Sequence, residues 1–222
     1  MRCLTPAFLT VTLLVVAAEA AGPVTALFNG RDLAGWEFVG YPPTDITAVC
    51  TVRPDGVIAA TGLPVGFIST VTTYANYSLH AEWRWPAVRP VERPVKPGNS
   101  GLLVHISSGP KDRAWPLSFQ VQTKNKFVGD LLPMAGATFA EALTSAPGAA
   151  TAIKGHTAPD SEKPAGEWNS CDVVCRGDTI EVTINGVIQN RVTGCSLAGG
   201  KIGFQFEGVP FELRAVNLTK LD

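Results

Sequence analysis

In the stretch GFISTVTTYANYSLHAEWRW (66–85), apolar and polar residues take turns. Tyr77, Leu79, Ala81, Trp83 and Trp85 fall on one side of an extended segment, and Ser78, His80, Glu82 and Arg84 on the other. A period of two is the mark of a half-buried strand. SGLLVHIS (100–107) and LSFQVQ (117–122) read the same way. In the first, Leu102, Val104 and Ile106 are expected on one face, with Leu103, His105 and Ser107 on the other. In the second, Phe119 and Val121 oppose Gln120 and Gln122. Towards the end, SCDVVCR, a Gly177-Asp178 turn, TIEVTI and an Asn185-Gly186 turn predict a meander. A two-residue loop at 177–178 sets Cys175 opposite Ile180, Val173 opposite Val182 and Cys171 opposite Ile184. All six side chains suit a core, which supports that register. KIGFQFEG and FELRAVNLTKL add two more strands. Residues 129–166 are weakly patterned and compatible with short strands or a long surface loop, and PAVRPVERPVKPGNSG is a proline-rich loop. With no helical period of convincing length, the expected fold is all-β: an antiparallel β-sandwich, most simply a jelly roll.

Composition fits this picture. The 222 residues contain 22 glycines and 17 prolines, which suits many short strands joined by turns. The net charge of −1 supplies no basic surface for nucleic acid or anionic lipid. The opening MRCLTPAFLTVTLLVVAAEA has a cationic start, an apolar run too short to span a bilayer, and a small-x-small pattern at Ala18-Glu19-Ala20. Residues 1–20 therefore read as a secretory signal peptide and 21–222 as a single domain, exported to the periplasm or beyond the cell, with no membrane span after cleavage.

Removal of that segment leaves Cys50, Cys171, Cys175 and Cys195, an even number that suggests disulfides in an exported chain. Cys171 and Cys175 lie on one strand, roughly 13 Å apart, beyond the reach of about 7 Å that a disulfide allows. Each must pair with Cys50 or Cys195 or remain a buried thiol; of the two pairings left, Cys175–Cys195 with Cys50–Cys171 is preferred, because the first joins neighbouring strands of the meander.

No HExxH, Walker, GxSxG or CxxC pattern is present, and three scattered histidines argue against a histidine-rich metal site. No cofactor or metal is expected. His105, beside a polar strand face, is a candidate acid, base or hydrogen-bonding group, or else a structural histidine. Gln120 and Gln122 carry neutral donors and acceptors suited to sugar hydroxyls, but neither amide takes up a proton at neutral pH. Trp115 is free to stack on a sugar ring. Trp168, in KPAGEWN, could stack similarly or plug the end of the sandwich.

Several segments in order resemble one family: LFNGRDLAGW, AEWRW, NSGLLVHIS, AWPLSFQVQ, Gly129-Asp130, KPAGEWNSCDVVCRGDTIEVTINGV and GKIGFQFEGVPFELRAVNL. This resembles the 3-keto-disaccharide hydrolase family, also described as 3-keto-glucoside 1,2-lyase and 3-keto-2-hydroxy-glucal hydratase. The resemblance covers nearly all of residues 21–222. It implies a concanavalin A-like jelly roll and action on glycosides oxidised at C3, by elimination and hydration across C1 and C2. The 3-keto group acidifies the C2 hydrogen, so the chemistry needs a base near C2, an acid near the leaving oxygen and donors to the developing enolate. On this basis His105 and Asp130 are the proton-transfer candidates, Arg84, Trp115, Gln120 and Gln122 the substrate contacts, and Glu82 and Glu207 reserve carboxylates. Relatives usually read S-I-E-x-Q where this chain has Ser118-Phe119-Gln120-Val121-Gln122, so their glutamate corresponds to Gln120. The alternatives are a non-catalytic carbohydrate-binding module on the same face and a structural domain of the cell envelope.

Overall fold

A computed structural model describes residues 22–87, 98–109 and 115–222. Residues 1–20, expected as a signal peptide, Ala21 and most of the proline-rich loop lie outside the described residues. Fourteen strands run in the order β1 (Val24–Ala26), β2 (Trp36–Gly40), β3 (Cys50–Val52), β4 (Ile58–Ala60), β5 (Gly66–Thr70), β6 (Tyr77–Arg84), β7 (Gly101–Ile106), β8 (Ser118–Gln122), β9 (Leu131–Met134), β10 (Asn169–Arg176), β11 (Thr179–Ile184), β12 (Val187–Val192), β13 (Lys201–Phe206) and β14 (Phe211–Lys220). Among the described residues a single four-residue helix, α1 (Ile46–Val49), precedes β3; the Asp45 carboxylate caps it by accepting from the Thr47 backbone N–H at 2.8 Å.

The strands form two antiparallel sheets packed face to face, a concanavalin A-like jelly roll. The larger sheet runs β12-β11-β10-β6-β14-β4-β3, with β1 also paired to β14; the smaller runs β2-β5-β13-β7-β8-β9. The predicted hairpin has the expected register, with Cys171 opposite Ile184, Val173 opposite Val182 and Cys175 opposite Ile180. The odd-numbered face of β6 is buried and its even-numbered face partly exposed along the whole strand. Tyr77, Leu79 and Ala81 meet Val173, Val182 and Leu218 in a core closed from the smaller sheet by Ile68, Leu102, Phe119 and Phe204. Each large side chain so buried contributes about 2 kcal/mol.

In 129–166 only β9 is a strand; Lys154 bridges to Leu131 outside it, and Asn190 Nδ2 of β12 donates to the carbonyls of Gly129 and Lys154 at 3.1 Å each. Thus the segment that lacks a periodic pattern ties an edge strand of the larger sheet to the neighbourhood of β9. Its shape depends on hydrogen bonds to residues distant in sequence, which local periodicity does not encode.

Candidate functional site

The outward side of the smaller sheet is built by the alternation that fills the core. On β13, Ile202, Phe204 and Phe206 enter the core, so Lys201, Gly203 and Gln205 point outward. Pairing aligns these with their neighbours in two rows across the sheet. One row runs Glu37, Ser69, Gly203, Leu103, Gln120 and Leu132. The next runs Val39, Phe67 and Gln205, and continues with Gly101 and Gln122. Gly101 and Gly203 contribute no side chain, and the Gln120 side chain lies over the first: a Cβ on Gly101 would stand 2.6 Å from Gln120 Cγ. Three glutamine amides line this side, Gln120 and Gln205 almost wholly buried, and packed strands back them.

The three amides are held differently. Gln120, 2% exposed, donates from Nε2 to Gln122 Oε1 at 3.1 Å, and the Lys124 backbone N–H donates to the same oxygen at 3.3 Å. Gln205, 1% exposed, has a buried Oε1 with no hydrogen-bond partner. Leaving such an acceptor unpaired costs about 1–3 kcal/mol. Glu207 takes the next outward step after Gln205, just past the end of β13. Burial raises its carboxyl pKa above the ordinary value, and the Lys124 charge partly opposes the shift.

Beside the first row the same side opens into a cleft of about 580 Å³. Lys201 Nζ donates to Glu37 Oε1 at 2.5 Å, and Ser69 Oγ donates to that oxygen at 3.3 Å. Val39, Phe67 and Ile106 supply its apolar lining.

The predicted site residues separate. His105 lies in the core, not on the outer face expected for it. A bulge between Lys201 and Gly203, opposite β7, coincides with a φ of 55° at His105. It breaks the alternation, so Val104 and His105 both turn inward and Ile106 turns out. The ring packs edge-on against Tyr77 and Phe119, and Nδ1–H donates to the Leu197 carbonyl at 2.9 Å. Burial lowers the His105 pKa, with the Leu197 bond opposing; the ring is neutral and its buried Nε2 has no partner. Asp130 adjoins Gln122, whose N–H donates to the Asp130 carbonyl at 2.8 Å. Its carboxylate, however, accepts from the His156 N–H at 2.8 Å and from His156 Nδ1 at 2.6 Å.

Arg84 and Glu82 lie on the opposite side of the molecule, on the outward face of the larger sheet. Arg84 Nε donates to Glu212 Oε2 at 2.5 Å, and Glu82 pairs with Arg214. Trp168 neither plugs the sandwich end nor faces the amides. It is held between the Arg84 and Arg214 guanidinium groups, 4.4 and 4.1 Å from its ring centre. Trp115 is half-buried just ahead of β8. Cys50, Cys171, Cys175 and Cys195 are buried, and no disulfide joins them in this structure. Among the described residues, no group of three His, Cys, Asp or Glu side chains could hold a metal ion, and no helix is long and apolar enough to cross a membrane.

Of the predicted set, then, Gln120 and Gln122 share the outer face, Asp130 borders it and Glu207 ends the outward series of β13. Sequence reading missed Gln205, Glu37, Ser69, Lys201 and the His156 partner of Asp130. Gln205 was accessible by the reasoning used for SFQVQ, because KIGFQF has the same alternation. Glu37 and Lys201 are 164 positions apart, and no local pattern joins them.

The sequence model of the 3-keto-alpha-glucoside-1,2-lyase-like domain matches residues 23–219. No curated protein sequence matches. Among solved structures, a candidate glycosyl hydrolase of Parabacteroides distasonis ATCC 8503 is 25% identical, with 90% of this chain and 94% of that chain covered and a TM-score of 0.62. The Bacillus licheniformis β-glucanase is 11% identical, covering 92% of this chain and 100% of that one with a TM-score of 0.55. The carbohydrate-binding module CBM66 of Bacillus subtilis, also 11% identical, covers 85% and 98% with a TM-score of 0.55. The latter two share the fold.

Proposed function

Because the chain belongs to the 3-keto-alpha-glucoside-1,2-lyase-like family through residues 23–219, we propose that it processes glycosides oxidised at C3 on the outward face of its smaller sheet. The observation that carries this reading is the convergence of Gln120, Gln122 and Gln205 around Gly101, with a buried Gln205 acceptor left unpaired. Neutral amides bind hydroxyl and carbonyl groups without imposing a charge. In this reading Glu207 removes the C2 proton, its raised pKa making it a stronger base than an exposed carboxylate. Amide N–H groups hold the enolate oxygen as charge develops. The glycosidic oxygen leaves C1 with the bonding electron pair, and water then adds across C1 and C2. His105 faces the core against Tyr77 and Phe119, away from the amides, and Asp130 serves to hold His156.

A second reading, a non-catalytic carbohydrate-binding domain, is favoured by Gln120 standing where relatives usually carry glutamate. Incubating the protein with 3-keto-trehalose and with unoxidised trehalose separates the two. Release of 3-keto-glucose from the first alone supports the enzyme. Binding without release selects the second reading, and equal cleavage of both sugars overturns the 3-keto requirement. The apolar run ahead of Ala18-Glu19-Ala20 supports export to the periplasm or beyond; N-terminal sequencing of the secreted chain should begin near Ala21, and an intact Met1 would overturn this.

A further inference from the structure

We infer that the cleft beside the amide face receives the leaving group of the glycoside, and that it is built for an aromatic alcohol. This rests on the 3-keto-glycoside reading but adds a second site and a ligand class. Four features support it. The cleft volume of about 580 Å³ falls within the range of sites that enclose small organic ligands. Its lining joins an apolar part, Val39, Phe67 and Ile106, with Tyr74, to the Lys201–Glu37 ion pair and the hydroxyl residues Ser69, Thr73, Ser107 and Ser108. A flat ring can lie against Val39, Phe67, Ile106 and Tyr74 with its one oxygen at the Lys201–Glu37 pair. The cleft also neighbours the amide residues in the sheet, since Glu37 and Ser69 share a row with Gln120.

Distance agrees. Lys201 lies on β13 and Gln120 on β8, with β7 between them and an offset of two residues along the strands, a separation of about 12 Å at the normal strand spacing and rise. That is roughly the span of a glycoside lying across the strands, with its sugar over the amides and its aglycone in the cleft. The ammonium of Lys201 has three N–H groups. One is given to Glu37, which fixes the side chain in the cleft, and another can be given to the leaving oxygen. As the C2 proton passes to the base and the C1–O bond breaks, the oxygen departs as a phenolate carrying the bonding pair. A phenol has a pKa near 10, so a charge-assisted hydrogen bond from Lys201 suffices to hold the phenolate until it takes a proton from water.

The test compares phenyl and methyl 3-keto-glucosides, in both anomers, on the wild type and on two variants. Ala75→Trp fills the cleft from an exposed lining position, and Lys201→Met removes the donor. The wild type should prefer the phenyl glycoside at least 10-fold in kcat/KM. Ala75→Trp should abolish that preference while sparing the methyl substrate, and Lys201→Met should lower kcat for the phenyl substrate more than it raises KM. Phenol alone, followed by NMR, should bind the wild type and not Ala75→Trp. Turnover with no phenyl preference, or with a preference that survives Ala75→Trp, overturns the cleft assignment and leaves the proposed activity standing. Phenol binding that Ala75→Trp removes, in a protein that cleaves neither glycoside, overturns the activity and the leaving-group role together. If phenol does not bind, the aromatic assignment fails whatever the activity.

Discussion

The two outward faces of this sandwich arise from the same alternation of side chains, yet they are finished differently. On the larger sheet polar means charged, and the charges answer one another: Glu212 takes Arg53 at 2.7 Å and Arg84 at 2.5 Å, Glu82 takes Arg214, and His80 meets Asp172 at 2.7 Å. Trp168 between two guanidinium groups completes that surface. On the smaller sheet the middle is neutral amide and glycine, and the buried Gln205 acceptor has no partner. A face whose polar groups are paired among themselves has little left to offer a ligand. One with a preorganised but unpaired acceptor has a free energy of binding in reserve. The difference teaches that the density of polar residues is a poor guide to a site, and that the state of their pairing is a better one.

The sharpest way to break the contrast is to disable the amide side. Glu207→Gln should lower kcat/KM for a 3-keto-glucoside by about 10²-fold or more, the usual contribution of a general base, with an equal or slightly higher melting temperature at neutral pH. The pH dependence carries a sign. Burial raises the folded-state pKa of Glu207, so the protonated carboxyl favours folding, and that contribution is lost as pH rises through the raised value. Wild-type stability relative to Glu207→Gln should therefore decline with rising pH across this window, while activity climbs on an acid limb above the ordinary carboxylate range. Undiminished turnover in the variant would remove Glu207 from the chemistry.

Cutting the charged side should do the reverse. Glu212→Gln leaves Arg53 and Arg84 without their shared carboxylate and should cost about 2 kcal/mol, a value reduced from that of a fully buried pair because both arginines are partly exposed. Thermal unfolding should shift downward by several degrees with kcat/KM unchanged. Loss of activity at full stability would show that the two faces are coupled.

A smaller effect sharpens the role of Gln120. Equal shape alone suggests that glutamate would fit there, but Gln120 Nε2 donates to Gln122 Oε1, which is also occupied by the Lys124 N–H. A carboxylate at this position would oppose that oxygen in a nearly dry setting, so Gln120→Glu should cost about 1–2 kcal/mol at neutral pH, recovered in part as the new carboxyl protonates. A marked rise in turnover would instead assign the missing base to this strand. Smallest of all, the thiols should be silent in the folded protein. Burial pushes Cys50, Cys175 and Cys195 up to about 12 and Cys171 higher still. Alkylation without reductant should be slow until denaturant is added and then label all four; fast labelling of the native chain would contradict their burial.

How much of this was legible in advance follows from what is local. Alternation along β6 and the hairpin of β10 and β11 were readable because period-two patterning and a two-residue turn set strand faces and register within a few residues. The polar side of SFQVQ was found by the same rule and does lie on the outward side of its sheet with Gln205. His105 failed by that rule, because a single bulge and a φ of 55° inverted its side. The arginine and glutamate of β6 failed for another reason: alternation tells that a residue points outward but not on which side of the molecule. The sequence by itself determined an all-β sandwich, its core faces and the family to which it belongs. Only the tertiary structure decided that Arg84 is spent on Glu212, that Asp130 is held by His156, and that Lys201 meets Glu37 at the mouth of a cleft. These are partnerships between residues far apart in the chain, set by strand order and bulges, and their hydrogen bonds exist only once both sheets are in place.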